Sequence, residues 1–235
     1  MCKRTLLTLT VLALASVTAF AATKEGIVLS KNGRVVTTTN RTPSVKRTVD
    51  SDAGLVKIFD NIGTAYPKGS YWCCEGATIF GPTAISGAPE YWEAAAFTPS
   101  ANHNVTKVKV AVGYVEGTNS LVLGLYSDKN GVPGTAIKTW TISNLPSFGS
   151  CCTVESKSDG AGIAVTSGTQ YWIVLKTNKN SSNTFAAWNV NDTDQVDPAP
   201  TAFWCSADKG GSCNSNDVWT PGQSVPGPAF AVLGN

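Results

Sequence analysis

Between residues 55 and 235 the chain alternates short apolar runs with polar, glycine-containing steps, and no long segment keeps a helical period of 3.6. Each run has the length and composition of a β-strand bounded by turn residues. The first is Leu55-Val56-Lys57-Ile58-Phe59-Asp60, and Ala94-Ala95-Ala96-Phe97 follows a Tyr-Trp pair. Residues 105–112 alternate most clearly. Thr106, Val108, Val110 and Val112 share one face, and Lys107 and Lys109 share the other with Val105 and Ala111, the face expected to meet solvent. Further strands are predicted over residues 121–126, 136–142, 162–165, 171–175, 184–188, 202–204 and 229–234. Between the expected strands at 121–126 and 136–142, Asn130-Gly131 favours positive φ, as in a tight hairpin.

The pattern predicts an all-β protein of about nine to eleven strands, spaced as in sandwiches and barrels. A single β-sandwich with jelly-roll-like topology, stapled by disulfides, is the expected architecture, and an up-and-down barrel is the alternative. No repeat at a fixed period points to a propeller.

The N-terminus has a different character. Lys3 and Arg4 precede an uncharged, mostly apolar stretch over residues 6–20, and Ala19-Phe20-Ala21 supplies a small-residue cleavage site. Residues 1–21 read as a secretory signal peptide, so the mature chain is expected to start at Ala22 and to be secreted, extracellular or at the cell surface. Residues 22–53 read as a polar, basic leader or linker in which residues 26–29 and 34–36 are apolar enough to add short strands. Residues 54–235 form the β-sandwich domain. No later stretch has the length and apolarity of a membrane span.

Loss of Lys3 and Arg4 lowers Lys+Arg from 18 to 16, equal to the 16 Asp+Glu, so the mature chain is formally neutral. A neutral surface disfavours nucleic acid, whose binding rests on basic residues that release phosphate counterions. At 14 % charged and 42 % hydrophobic residues, the composition suits an exported β-protein with a substantial core.

Of the seven cysteines, Cys2 leaves with the signal. The other six, Cys73, Cys74, Cys151, Cys152, Cys205 and Cys213, are expected to be disulfide staples in an oxidising compartment. Adjacent Cα atoms lie about 3.8 Å apart, short of the usual disulfide range of about 4.4–6.8 Å. Bonds within Cys73-Cys74 or Cys151-Cys152 are therefore disfavoured, and cross-links between the two pairs are preferred. Neighbours in a regular strand point to opposite faces, so both cross-links require irregular backbone there. Cys205 and Cys213 flank a polar, glycine-containing loop and are the firmest pair.

Motifs within the predicted strands carry a resemblance. Leu125-Tyr126-Ser127-Asp128 ends one strand, and Asn130-Gly131-Val132-Pro133-Gly134-Thr135 follows. Later come Ser167-Gly168-Thr169-Gln170-Tyr171-Trp172-Ile173-Val174-Leu175 and the closing Ala229-Phe230-Ala231-Val232-Leu233-Gly234. The chain resembles the exported bacterial β-sandwich modules called choice-of-anchor domains, close to the R type, over roughly residues 55–234 and most clearly over 105–175. The resemblance implies a secreted or surface module whose anchoring varies among members. This chain departs from the pattern in having no C-terminal sorting tail, so free secretion or retention by a partner is expected.

Aromatic residues supply the candidate chemistry. Tyr71-Trp72 and Tyr91-Trp92 lie among loops, Tyr171-Trp172 lies in an apolar strand, and Trp188, Trp204 and Trp219 lie near polar loops. An exposed flat ring stacks on a sugar, whereas a buried one packs in the core. Tyr71, Trp72, Tyr91, Trp92, Trp188 and Trp204 are the ligand candidates; Tyr171 and Trp172 are expected in the core. The expected function is a non-catalytic binding or surface-interaction module, with extracellular polysaccharide or a cell-surface component as partner and no cofactor. A polysaccharide-acting glycoside hydrolase and a structural matrix protein are the alternatives.

Hydrolysis calls for two suitably spaced carboxyl groups. Glu90 and Glu93 are an odd number of residues apart, on opposite faces of a strand, and Glu75 is the remaining candidate. Asp192, Asp194 and Asp197 are weak calcium candidates that fail the EF-hand spacing and read as solvated turn carboxylates. One histidine, His103, read as a turn residue, and the lack of any C-x-x-C disfavour zinc. A nucleophile elbow and a phosphate-binding glycine loop are both missing.

Overall fold

The computed structural model describes residues 27–29, 35–38, 52–62, 71–149, 155–191, 200–206, 218–222 and 227–235. Fifteen strands occur among these residues. They are β1 (Ile27–Leu29), β2 (Val35–Thr38), β3 (Val56–Asp60), β4 (Tyr71–Phe80), β5 (Tyr91–Phe97), β6 (His103–Val110), β7 (Val112–Glu116) and β8 (Ser120–Lys129). Then follow β9 (Val132–Ser143), β10 (Glu155–Val165), β11 (Tyr171–Lys176), β12 (Phe185–Asn191), β13 (Thr201–Cys205), β14 (Trp219–Gly222) and β15 (Phe230–Gly234). The described residues contain no helix, and hence none long and apolar enough to cross a membrane.

The strands form two antiparallel sheets. The smaller has the order β10-β6-β15-β3. The larger, of eleven strands, runs β1-β2-β4-β5-β11-β8-β9, with β12 joining β4 to β7 and β13 joining β5 to β14. β1 and β2, drawn from the apolar runs of the leader, lie at one end of this sheet, where β2 pairs with β4 through Val36↔Gly76.

The sheets bury a shared core. From the larger come Ile79, Phe97, Leu121, Leu123, Leu125, Ile173 and Leu175; from the smaller come Val108, Val110, Phe230 and Val232. Alternation places Leu121, Leu123 and Leu125 of β8 on this inner face, and each is fully buried. Burial of such a side chain contributes about 1.5–3 kcal/mol. Phe59 stacks on Phe230 at 4.4 Å between ring centres, and Phe97 reaches both rings from the opposite sheet.

The run at residues 105–112 differs from expectation in two ways. It is two strands in different sheets, and Ala111 is the crossing point. The Ala111 N–H donates to the Ala229 carbonyl at 3.1 Å, while its carbonyl accepts from Asn189 N–H at 2.8 Å. The alternation also resets. Lys107 pairs with Leu233 but Val105 pairs with Gly234, so β6 carries one extra residue, Thr106. Such a bulge shifts side-chain parity by one, and Val105 joins Val108 and Val110 in the core. Lys107 and Lys109 do lie away from that core, yet the Lys107 side chain is only 7 % exposed. Asp52 explains this: it accepts from Lys107 at 3.1 Å and from Lys109. Partial burial pushes the Asp52 carboxyl up, and hydrogen bonds from Lys109 and Lys107 outweigh it, so the group sits below the usual carboxylate range.

His103, expected in a turn, opens β6 opposite Val165. Residues 71–80, not expected as a strand, form β4. Asn189↔Gly76 is followed by Asn191↔Tyr71, so extra residues of β4 bow out between these pairs, and Cys73 and Cys74 fall in that irregular stretch. Asn130 and Gly131 have φ of 57° and 82° and join β8 to β9, as the Asn-Gly step predicts.

Candidate functional site

The face of the larger sheet turned away from the shared core is itself partly roofed. On β5, Ala95 and Phe97 enter the core, so Trp92, Ala94 and Ala96 point the other way. On β11 the same alternation sends Trp172, Val174 and Lys176 outward. The small Ala94, Ala96 and Ala202 leave room for Trp172, which is 0 % exposed although it lies on the outer face.

Register then lines up three indoles. Trp204 of β13 stands directly opposite Trp92 of β5 on one side and Trp219 of β14 on the other. Trp92 and Trp204 stack at 3.9 Å with 17° between planes, and Trp219 lies 6.4 Å from Trp92, tilted by 51°. Directly opposed aromatic pairs of this kind contribute about 0.5–1.5 kcal/mol beyond their burial. All three rings remain partly exposed.

Polar groups set the wall's orientation. The Trp92 indole N–H donates to Glu90 Oε1 at 2.8 Å and approaches Thr177 Oγ1 at 3.3 Å, and the Thr177 hydroxyl donates to the same Glu90 oxygen. Lys176 Nζ lies 4.9 Å from the Trp92 ring centre and 5.7 Å from that of Tyr126. Tyr126 reaches this position because its ring lies over Gly124, where a Cβ would stand 2.4 Å from the ring.

Beside the wall, Ser127, Asp128, Gly131, Thr135, Gln170 and Trp172 form a clip. Asp128 Oδ1 accepts from the Trp172 indole at 2.8 Å and from Gln170 at 2.7 Å, and Oδ2 accepts from the Gly131 N–H at 3.1 Å. The Thr135 N–H donates to Ser127 Oγ at 3.0 Å. One carboxylate thus ties the β8–β9 hairpin to β11. Burial pushes the Asp128 carboxyl up, but hydrogen bonds from Trp172, Gly131 and Gln170 bring it below its ordinary range.

The predicted site residues divide sharply. Trp92 and Trp204 come together in the wall. Tyr91 and Trp188, predicted as ligand contacts, are core residues. Tyr91 is 3 % exposed and packs against Phe80 at 5.1 Å. Trp188 is 0 % exposed and donates its indole N–H to the Ala229 carbonyl. Both occupy closely packed clusters, so neither meets a ligand at the surface. Tyr171 and Trp172 are buried, as expected. The side chains of Tyr71, Trp72, Cys73 and Cys74 lie outside the described part, as do Cys151, Cys152, Cys213, Asp192, Asp194 and Asp197. Cys205 is fully buried in the second core cluster.

Glu93 is buried within β5, and Glu90, just before that strand, turns onto Trp92. Glu75 pairs with Thr37 at the β2–β4 edge. Among the described residues no group of three or more His, Cys, Asp or Glu is placed to hold a metal ion. Lys176 and Thr177 are site residues that the sequence reading missed, and Trp219, noted near a polar loop, stood outside its ligand candidates. Lys176 is four residues beyond Trp172, an even spacing that puts it on the same face, and that was the available signal. Comparison with protein-family models, with curated proteins and with solved structures found no match to this chain.

Proposed function

We propose that this protein is an exported, non-catalytic binding module that takes carbohydrate on the outer face of its larger sheet. The observation that carries this reading is the row Trp92–Trp204–Trp219, three partly exposed indoles on adjacent strands outside the inter-sheet core. Indole surface suits the apolar face of a sugar ring, and rings locked by stacking and by Glu90 lose little freedom on binding. Trp92 has one face on Trp204 and a cation near its ring, so Trp204 and Trp219 are the contact residues in this reading.

The module is a β-sandwich with jelly-roll-like connections. The orders β3-β15-β6-β10 and β5-β11-β8-β9 support this, because β3 and β15, the first and last strands of residues 54–235, pair in one sheet and the intervening strands are shared between both. Disulfides brace it: Cys205 pairs with Cys213, and Cys73 and Cys74 with Cys151 and Cys152. The irregular stretch of β4 supports the second link by freeing two adjacent cysteines from strict alternation.

Glycan-array binding of the mature protein tests the reading. Binding to at least one polysaccharide class is expected, with a loss of at least tenfold in a Trp204→Ala/Trp219→Ala double variant whose circular dichroism is unchanged. Absence of binding to any glycan, undiminished binding by the folded double variant, or release of sugar from a bound polysaccharide would each overturn it.

A further inference from the structure

We infer that the tryptophan wall takes an acidic polysaccharide, with Lys176 receiving a uronate carboxylate; this rests on the carbohydrate-binding reading above. Among the described residues, Glu90, Asp128 and Lys176 are the charged side chains tied to this face, and they are not equivalent. Glu90 is turned onto Trp92 and Thr177, and both oxygens of Asp128 accept hydrogen bonds from Trp172, Gln170 and Gly131. The two carboxylates are therefore engaged by protein donors. Lys176 has aromatic rings beside its ammonium, at 4.9 Å from Trp92 and 5.7 Å from Tyr126, and no carboxylate within ion-pair distance among the described residues.

A ring quadrupole attracts a cation without consuming its hydrogen-bond donors, and an ammonium has three. Lys176 is thus held in place while its donors remain available to a ligand. A hexuronate carries an apolar ring face and a carboxylate on adjoining atoms. The wall offers indole surface with an ammonium beside the Trp92 ring. The mature chain is otherwise neutral, so selectivity would come from this local contact and not from a broad basic field.

Calorimetric titration with oligogalacturonate, its fully methyl-esterified form and neutral xylo-oligosaccharides separates the outcomes. The intact protein is expected to bind the acid at least tenfold more tightly than the ester, with a shallow loss of affinity as salt rises. Lys176→Met is expected to abolish the preference and Lys176→Arg to retain it. Equal affinity for acid and ester by the intact protein, or a preference that survives in folded Lys176→Met, overturns the inference. Binding confined to neutral glycans would overturn it and leave the carbohydrate-binding reading standing; binding to no glycan would remove both.

Discussion

Replacement of Asp128 by alanine isolates the clip that the sequence motifs build. The side chain accepts from a wholly buried indole, from an amide in a tight turn and from Gln170. Without it the N–H of the wholly buried Trp172 loses its acceptor, which costs about 1–3 kcal/mol. Loss of the bond to the Gly131 amide adds about 0.5–1.5 kcal/mol, because that exposed group regains water. Asp128→Ala should therefore lower stability by about 2–4 kcal/mol, and the melting temperature by on the order of 5–15 °C for a chain of this size.

Guanidinium titration followed by far-ultraviolet circular dichroism, with the disulfides kept oxidised, measures the effect. Asp128→Asn keeps an acceptor oxygen for the indole and should cost less. In a Trp172→Phe background, where the donor is gone, Asp128→Ala should cost at least about 1 kcal/mol less than in the parent. The pH dependence has a definite sign. The folded carboxyl lies below its ordinary value of 3.8, so its ionised form favours folding above that pH, and this contribution is lost as pH falls through the folded value. The gap between parent and Asp128→Ala should accordingly narrow below about pH 4. A change under about 0.5 kcal/mol at neutral pH, or an undiminished cost in the Trp172→Phe background, would refute the clip.

Further outcomes are expected. Gly117 has φ +84° and a Cβ there would stand 1.8 Å from the Asn183 carbonyl oxygen, so Gly117→Ala should destabilise by more than about 2 kcal/mol. Gly131→Ala, with nothing within 4 Å of its Cβ, should cost only about 1–2 kcal/mol in thermal denaturation. Peptide mapping without reductant should recover Cys205 linked to Cys213, and opening that bond alone through Cys213→Ser should cost about 2–3 kcal/mol. A Cys205 peptide linked to any other cysteine would refute the pairing.

The fold class was legible in the sequence because alternation and turn chemistry are local. A strand that buries one face must write a period of two into its residues, and an Asn-Gly step favours positive φ whatever surrounds it. The even spacing of Trp172, Val174 and Lys176 marked one face of β11 equally plainly. What one strand cannot encode is what lies against it. The register of β13 on β5 and of β14 on β13 brought Trp92, Trp204 and Trp219 into one row across a long stretch of sequence. The same tertiary pairing put Trp188 in the core, although its neighbours in sequence are as polar as those of Trp204. The Thr106 bulge and the crossing at Ala111 were hidden for the same reason. Partner strands set them through Leu233, Gly234 and Ala229, far away along the chain, so the alternation of residues 105–112 read alone was misleading. Sequence alone marked the all-β class and most of its strands, though not β4 or β14; the tertiary structure decided which side chains met, because contact depends on register and on the covering layer.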